Sequence, residues 1–505
     1  MTPESLSPTG TDDPTAAPPP GCPAHGVGVG VGGLRRLYGP GAEDLEAVYE
    51  KLRAEHGTVA PALLHDDVPI WVVLGHSENL HMVRNPSQFC RNTRLWSALQ
   101  DGTVKPDHPL MPHFAWQPIC SHAEGDEHLR LRGAVTGAMS TIDHRGIRRY
   151  INRATQQLVN KFCREGRADL VGQFAEHLPM SVMCEILGMP EEYNDQMVQA
   201  ARDMPKGSET AIASNAYLMD VLMRLTARRR AEPRDDFTSH LINHPANLTD
   251  DEVGQHLRII LVAAYEATAN LIANVMRVVL TDPRFRAQLN GGQMTVPQAV
   301  EQSLWDEPPF STVLPYIAKQ DAELGGQRIR KGDALILGIA PGNVDPRVRP
   351  DPKAHMQGNR SHLAFGGGPH ECPGQDIGRV IAEVGVDALL TRLPDVQLAC
   401  DEDELDWWAS ISNRHLVELP VKFEAKPQQD VMARPAHPLA FQRSSDWLVS
   451  TPQSKTAPLE AASPATAPTP TIAPTPTPTP TPTPNYEPAG RPGVFRRFLR
   501  WWRGE

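Results

Sequence analysis

The chain lacks the cysteine pattern of a disulfide framework or a structural zinc cluster. Its seven cysteines (Cys22, Cys90, Cys120, Cys163, Cys184, Cys372 and Cys400) are odd in number, scattered, and never spaced Cys-x-x-Cys. Reduced thiols in a cytoplasmic setting are the expectation. Positive charge is short as well: 49 Lys and Arg stand against 60 Asp and Glu, a formal net charge of −11. A general nucleic-acid binder needs the opposite balance. The opening stretch, MTPESLSPTGTDDPTAAPPP, has neither the basic n-region nor the apolar h-region of a secretory signal. No apolar run is expected to reach the roughly 20 residues of a membrane span.

What is present is a chain of 505 residues, 40% hydrophobic, enough for a sizeable core. Residues 1–30, polar and proline-rich, read as a disordered N-terminal arm. Residues 31–426 read as one globular domain. Helical periodicity dominates it, in EDLEAVYEKLRAEHG, IRRYINRATQQLVNKFCREG, LPMSVMCEILGMP, NAYLMDVLMRLTARRRAE and DEVGQHLRIILVAAYEATANLIANVMRVVLTDP. Strand-like runs are fewer and shorter: APALLH, IWVVLG, ALILGI and HLVELPVKF. The fold class is mainly α with minor β-sheets. Residues 427–490 are a low-complexity linker rich in proline and threonine. Alternating Thr-Pro can form neither helix nor central strand, because proline lacks a donor and restricts its predecessor. An extended polyproline II spacer follows, about 21 residues at ~3.1 Å each.

One stretch, HLAFGGGPHECPGQDIGR, raises a chemical question. A single cysteine, Cys372, follows three glycines and a histidine, and a helix is expected just after it. A disulfide or a zinc ligand is disfavoured by the spacing. A nucleophile needs a base that this sequence does not identify, and a phosphate loop needs a Gly-Lys-Ser/Thr ending that is absent. A thiolate ligand to haem iron accounts for more of the residues. Glycines let the backbone approach a flat macrocycle, and a following helix N-terminus favours the thiolate charge.

FGGGPHECPG resembles the cysteine-loop signature of the cytochrome P-450 family, matched through Phe365, Gly366, Gly368, His370, Cys372 and Gly374. The resemblance runs over most of residues 35–425. EGDEHLRLRGAV is similar to the helix that crosses the haem edge; His128 and Arg132 lie four apart on one face and would reach the haem propionates with His370. ADLVGQFAEHLPMSVMCEILGMPEE and AELGGQRIRKGD resemble the bacterial soluble branch. The resemblance implies a helical fold around haem b, iron protoporphyrin IX, held by Cys372. It also implies oxygen-atom insertion into a small hydrophobic substrate from O2. Electrons would come from NAD(P)H through a ferredoxin and a ferredoxin reductase.

Two departures from the family pattern stand out. In RIILVAAYEATANLIANVM, the helix expected over the distal haem face, Glu266 is an acid in an apolar setting, where an unpartnered carboxylate is costly. By resemblance it relays protons. Ala264 takes the usual glycine place and Ala267 the usual threonine place. Thr268 follows one position later, about 100° around the helix. In TVPQAVEQSLWDEPPF, Gln302 and Trp305 replace the family's Glu-x-x-Arg pair, with Glu301 facing elsewhere. Val344 in PGNVDP and Tyr316 in YIAKQDAEL stand where arginines are common, and Arg360 is the expected compensator for the lost propionate contact. A small branch of actinomycete relatives shares the EQSLW form, and this chain resembles them. The missing distal threonine keeps a second reading open, a haem-binding regulatory or assembly component with little turnover.

Residues 491–505 form the last feature. On a helical wheel, Val494, Phe495, Phe498, Leu499, Trp501 and Trp502 of VFRRFLRWWR share an arc of ~160° at ~100° per residue, opposite Arg496, Arg497, Arg500 and Arg503. That pattern suits peripheral contact with an anionic membrane, at the inner face of the cell membrane for a cytoplasmic protein.

Overall fold

The structure, a computed structural model, describes residues 15–16, 33–38 and 42–431, except 43, 106–107, 109, 191–193, 207–209, 353 and 357. Most of the arm, most of the linker and the segment 491–505 lie outside the described residues.

Four helices position the site. Helix α1 spans Gly125–Met139, α2 Asp250–Thr281, α3 Val296–Asp306 and α4 Gln375–Arg392. The start of α2 follows from its sequence. Thr249 accepts from the Glu252 N–H, and the Glu252 carboxylate accepts from the Thr249 N–H at 2.8 Å, a reciprocal cap. Thr295 and Gln298 repeat that cap at α3, where Pro297 fits the first turn. α3 ends at Asp306, just ahead of Pro308 and Pro309, whose rings forbid its continuation.

By length and composition α2 is apolar enough to cross a membrane, contrary to the expectation that no such run exists. Its burial gives the reason. Leu257, Leu261, Ile272, Val275 and Met276 are buried in the protein, so the run is a core helix. The other expected helices appear at Leu45–His56, His144–Phe162, His177–Leu187 and Ala211–Ala231.

The larger sheet contains β1 (Leu34–Arg36), β2 (Val59–Leu64), β3 (Val68–Val73), β4 (Phe89–Cys90), β5 (Thr312–Ala318) and β6 (Ala334–Gly338). With the edge strand Thr15–Ala16, its order is Thr15–Ala16, β1, β2, β3, β6, β5, β4. β2 and β3 form an antiparallel hairpin, and β6 joins β3 in parallel, Leu335 opposite Trp71. The short β4 pairs with β5, Cys90 opposite Ile317, which brings the residue after it, Arg91, beside Tyr316. HLVELPVKF is two strands rather than one, Arg414–Leu416 and Pro420–Lys422.

Candidate active site: a buried thiol under an apolar helix

Cys372 is partly buried. Its N–H donates to the Phe365 carbonyl at 2.9 Å, and the Gly366 N–H to Leu363 at 2.8 Å, closing the loop on itself. Gly366 has φ +69° and Gly368 φ +63°. At Gly368 a Cβ would sit 2.0 Å from the Val83 carbonyl oxygen, so only glycine fits. Burial pushes the thiol up. A hydrogen bond from the Gly374 N–H and the positive charge of Arg132 oppose that rise. Gly374 itself has ordinary φ, and a Cβ there would meet only Met139 at 4.0 Å. It contributes its N–H at the start of α4, not conformational freedom.

The thiol belongs to the wall of a cavity. Phe365, Gly366, Pro373 and Gly374 share that wall, with Ile377 and Ile381 from α4. From α2 come Ile259, Ile260, Ala263, Ala264, Ala267 and Thr268, and from the sheet side Phe310, Val313 and Tyr316. This lining is overwhelmingly apolar.

Polar donors gather around Arg132, His370 and Arg91, all of which line the cavity. The His370 Nε2 lies 3.3 Å from a Glu124 oxygen, and its buried Nδ1 has no partner among the described residues. His128 does not line the cavity; its ring packs behind His370, centroids 4.5 Å apart, with Nε2 buried and partnerless. Burial, with the charges of His370 and Arg132, pushes His128 down to about 4. Arg132 donates to the Glu371 carbonyl at 2.5 Å. Arg91 lies over the Tyr316 ring, 5.2 Å from its centroid, donates to the Leu314 carbonyl at 3.1 Å, and keeps its Nε buried and unpaired. Arg360 is not the compensator expected for Tyr316. It is largely exposed, sits 3.5 Å from Glu301, and stays outside the cavity lining. Arg91 lines the cavity beside Tyr316 instead, and sequence reasoning missed it because the pairing depends on β4 docking against β5.

One cavity-lining thiol, an apolar cleft and a cluster of unsatisfied cationic or imidazole nitrogens are the chemistry that a haem asks for: a thiolate for iron, a greasy slot for the ring, and donors for two carboxylates. The residues present fit that group.

No protein-family model matches the chain. Comparison with curated proteins gives nocardicin C N-oxygenase of Nocardia uniformis subsp. tsuyamanensis, 31% identical over 392 residues, 76% of this chain and 96% of that one. The 6-deoxyerythronolide B hydroxylase of Saccharopolyspora erythraea is 30% identical over 59% of this chain and 76% of its own. Among solved structures, CYP154C4 from Streptomyces sp. W2061 superposes with a TM-score of 0.69 at 27% identity, covering 75% of this chain and 95% of that one. The chain belongs to the cytochrome P-450 family. It is a bacterial P-450 monooxygenase with the mainly helical family fold.

Ala264 and Ala267 present only methyl groups to the cavity. Thr268 is buried and borders the cavity, but its hydroxyl lies toward α4, where a Cβ on Gly378 would stand 3.7 Å away. Glu266 does not line the cavity. Its carboxylate accepts from the Asn413 side-chain amide, and burial pushes it up to about 7. Among the lining residues that escaped the sequence reading are Ser121 and His256. The His256 ring bridges the Cys120 N–H at 3.0 Å and the Glu252 carbonyl at 2.6 Å, which fastens the loop before α1 to the first turns of α2.

The EQSLW segment makes directed hydrogen bonds of its own. Trp305, fully buried, donates from Nε1 to the Asn359 carbonyl at 2.9 Å and stacks on His76, centroids 6.2 Å apart. Gln302 donates to Asp306 at 2.9 Å, and its Oε1 accepts from the Met356 N–H at 2.8 Å. Just before Val344, Asn343 donates to the Leu304 carbonyl at 2.9 Å and accepts from the Leu363 N–H at 2.9 Å. Arg349 pairs with Asp306 at 2.6 Å. Glu301 does face away from Gln302's partners, and it has partners of its own: Arg379 at 2.6 Å and His362 at 3.0 Å.

Proposed function

We propose that this P-450 inserts one atom of O2 into a small hydrophobic substrate, taking electrons from NAD(P)H through a ferredoxin and its reductase. The observation that carries the reading is Cys372, at the wall of a cavity whose facing helix is nearly all aliphatic. When bound, haem b supplies the oxygen-activating iron, and a cysteine thiolate favours O–O cleavage.

The residues divide the work. Cys372 ligates the iron. Arg91, Arg132 and His370 hold the haem carboxylates, with His128 supporting His370 from behind. Phe365, Gly366 and Gly374 pack the ring's thiolate side. Ile259, Ile260, Ala263 and Phe310 exclude water and receive an apolar substrate. Glu266 holds a proton near neutral pH against Asn413 and serves as the store from which the distal side is supplied. With Ala267 bare, Thr268 acts through water or the substrate's own hydroxyl completes the relay. Relatives are named as a hydroxylase of 6-deoxyerythronolide B and a hydroxylase/epoxidase of mycinamicin IV, which supports a secondary metabolite as substrate.

The domain runs over residues 31–426 in this reading, followed by a linker over 427–490 and an amphipathic membrane contact at 491–505 in a cytoplasmic enzyme. The test is a substrate screen by spectral shift on the purified holoprotein, followed by turnover with ferredoxin, reductase and NAD(P)H. Compounds that shift the spectrum should be oxidised at a rate that depends on all three. Spectral shifts with NAD(P)H consumption but no oxidised product from any shifting compound would favour the regulatory reading.

A further inference from the structure

Glu301 sits off the cavity, yet it is buried, charged and fully engaged. Its exposure is 7%. One carboxylate oxygen accepts from the Arg379 Nε at 2.6 Å, the other from the His362 Nε2 at 3.0 Å. The His362 Nδ1 accepts from the Ala364 N–H at 3.3 Å, which leaves the ring proton on Nε2 to donate to Glu301. The Arg379 guanidinium in turn lies over the Phe365 ring, 4.4 Å from its centroid. The Phe365 carbonyl takes the Cys372 N–H, and both residues line the cavity. One continuous path therefore joins a carboxylate on α3, a cation on α4, an aromatic ring and the cysteine loop.

Arg379 starts on the helix that follows Cys372, and its charge is among those that favour the thiolate. Glu301 offsets that charge at contact distance, in a buried setting where little water screens it. A cation near the sulphur draws electron density from it and raises the potential of the iron it ligates; a neutralised cation does so less.

We propose that Glu301 is a positioning residue that sets how much of Arg379's positive charge reaches the Cys372 sulphur, and thereby tunes the reduction potential of the bound haem iron. The inference rests on the reading that Cys372 ligates haem.

The experiment is a spectroelectrochemical titration of the full-length holoenzyme, with the reduced carbon-monoxide spectrum as the check on the loop. Glu301→Gln should move the potential to more positive values, and Arg379→Gln to more negative ones. The double variant should return close to the unmodified enzyme, and Glu301→Asp and Arg379→Lys should stay near it. A purely structural role predicts something else: both single variants loosen the loop, lose the thiolate band together and shift in the same direction. Shifts of the same sign, or an unmoved potential in Glu301→Gln with its thiolate band intact, would overturn the proposal. Should Glu301→Gln retain no haem, Arg379→Gln and Glu301→Asp decide, since a fall in the first and constancy in the second are both required. Absence of the thiolate band in the unmodified enzyme would sink the haem reading itself, a different failure from a wrong-signed shift.

Discussion

The Trp305 indole N–H is bonded to the carbonyl of Asn359, 54 residues further along the chain, at 2.9 Å. This aromatic ring ties α3 to the loop ahead of the cysteine through a single donor. Gln302 supplies the second tie through the Met356 N–H. Both ties are made by neutral side chains bonding to backbone.

Changing one of those ties alone should hurt. Trp305→Arg would bury a guanidinium beside a neutral Gln302, at a cost of about 3–5 kcal/mol. Adding Gln302→Glu should recover part of the loss but not all. A glutamate there gives up its donation to Asp306 and repels it at close range. Trp305→Phe, which keeps most of the packing but strands the Asn359 carbonyl, should lose about 1–3 kcal/mol. Thermal unfolding of the holoprotein reads all three. A double variant as stable as the unmodified enzyme would show that the neutral network is not optimised around Asp306.

Glu266 makes stability depend on pH with a definite sign. Its folded value of about 7 lies above the roughly 4.3 of an unfolded glutamate. Between those values the folded state holds a proton that the unfolded state has lost. Stability from this group is therefore highest below the unfolded value and falls as pH rises towards 7, by up to about 3 kcal/mol. Glu266→Gln removes the dependence. Its amide can still accept from the Asn413 Nδ2 and can donate to the Asn413 Oδ1, which has no partner among the described residues. The variant should gain on the unmodified enzyme between pH 5 and pH 8 by about that amount. A difference that is constant with pH would mean that the buried carboxyl keeps its ordinary acidity.

Much of this site is readable along the chain because its signals are local. The cysteine loop is a run of glycines whose positive φ at Gly366 and Gly368 only glycine adopts freely. α3 is announced by Pro297 in its first turn and two prolines after its end. The unread parts are pairings that exist only after folding. Arg91 reaches the cavity because β4 docks on β5, and His256 becomes a latch only when the Cys120 loop lies against α2. Glu301 stands one residue from the place of the family's acid, so spacing along the chain does not reveal its role. Its partners, His362 and Arg379, come from two later segments. The apolar length of α2 says nothing by itself about membrane or core; the neighbours that bury it decide.

Arg91 and Arg360 separate cleanly in haem retention. Arg91→Ala removes a charged donor whose Nε is buried at the cavity and unpaired. A charged hydrogen bond of about 1.5–3 kcal/mol corresponds to haem loss on the order of 10–100-fold faster. Arg91→Lys should fall between, since it keeps the charge and loses the planar fork. Arg360→Ala, outside the cavity, should leave the rate unchanged. Transfer of haem to excess apomyoglobin measures each. Equal rates for Arg91→Ala and the unmodified enzyme would return the carboxylate contacts to Arg132 and His370 alone.

The C-terminal segment gives a prediction that is independent of the haem site. Four arginines oppose six apolar residues over Val494–Arg503. Each arginine near an anionic surface contributes about 1 kcal/mol, and that part is screened by salt. The aromatic arc adds apolar burial that salt does not screen. Full-length protein should therefore sediment with phosphatidylglycerol vesicles at low salt and partly release as salt rises. It should bind neutral phosphatidylcholine vesicles weakly. A chain ending at Pro484 keeps the haem domain and most of the spacer but loses every residue of the arc. It should stay in the supernatant with an unchanged carbon-monoxide spectrum. Equal sedimentation of the two chains would assign membrane binding to the haem domain and remove the segment's proposed role.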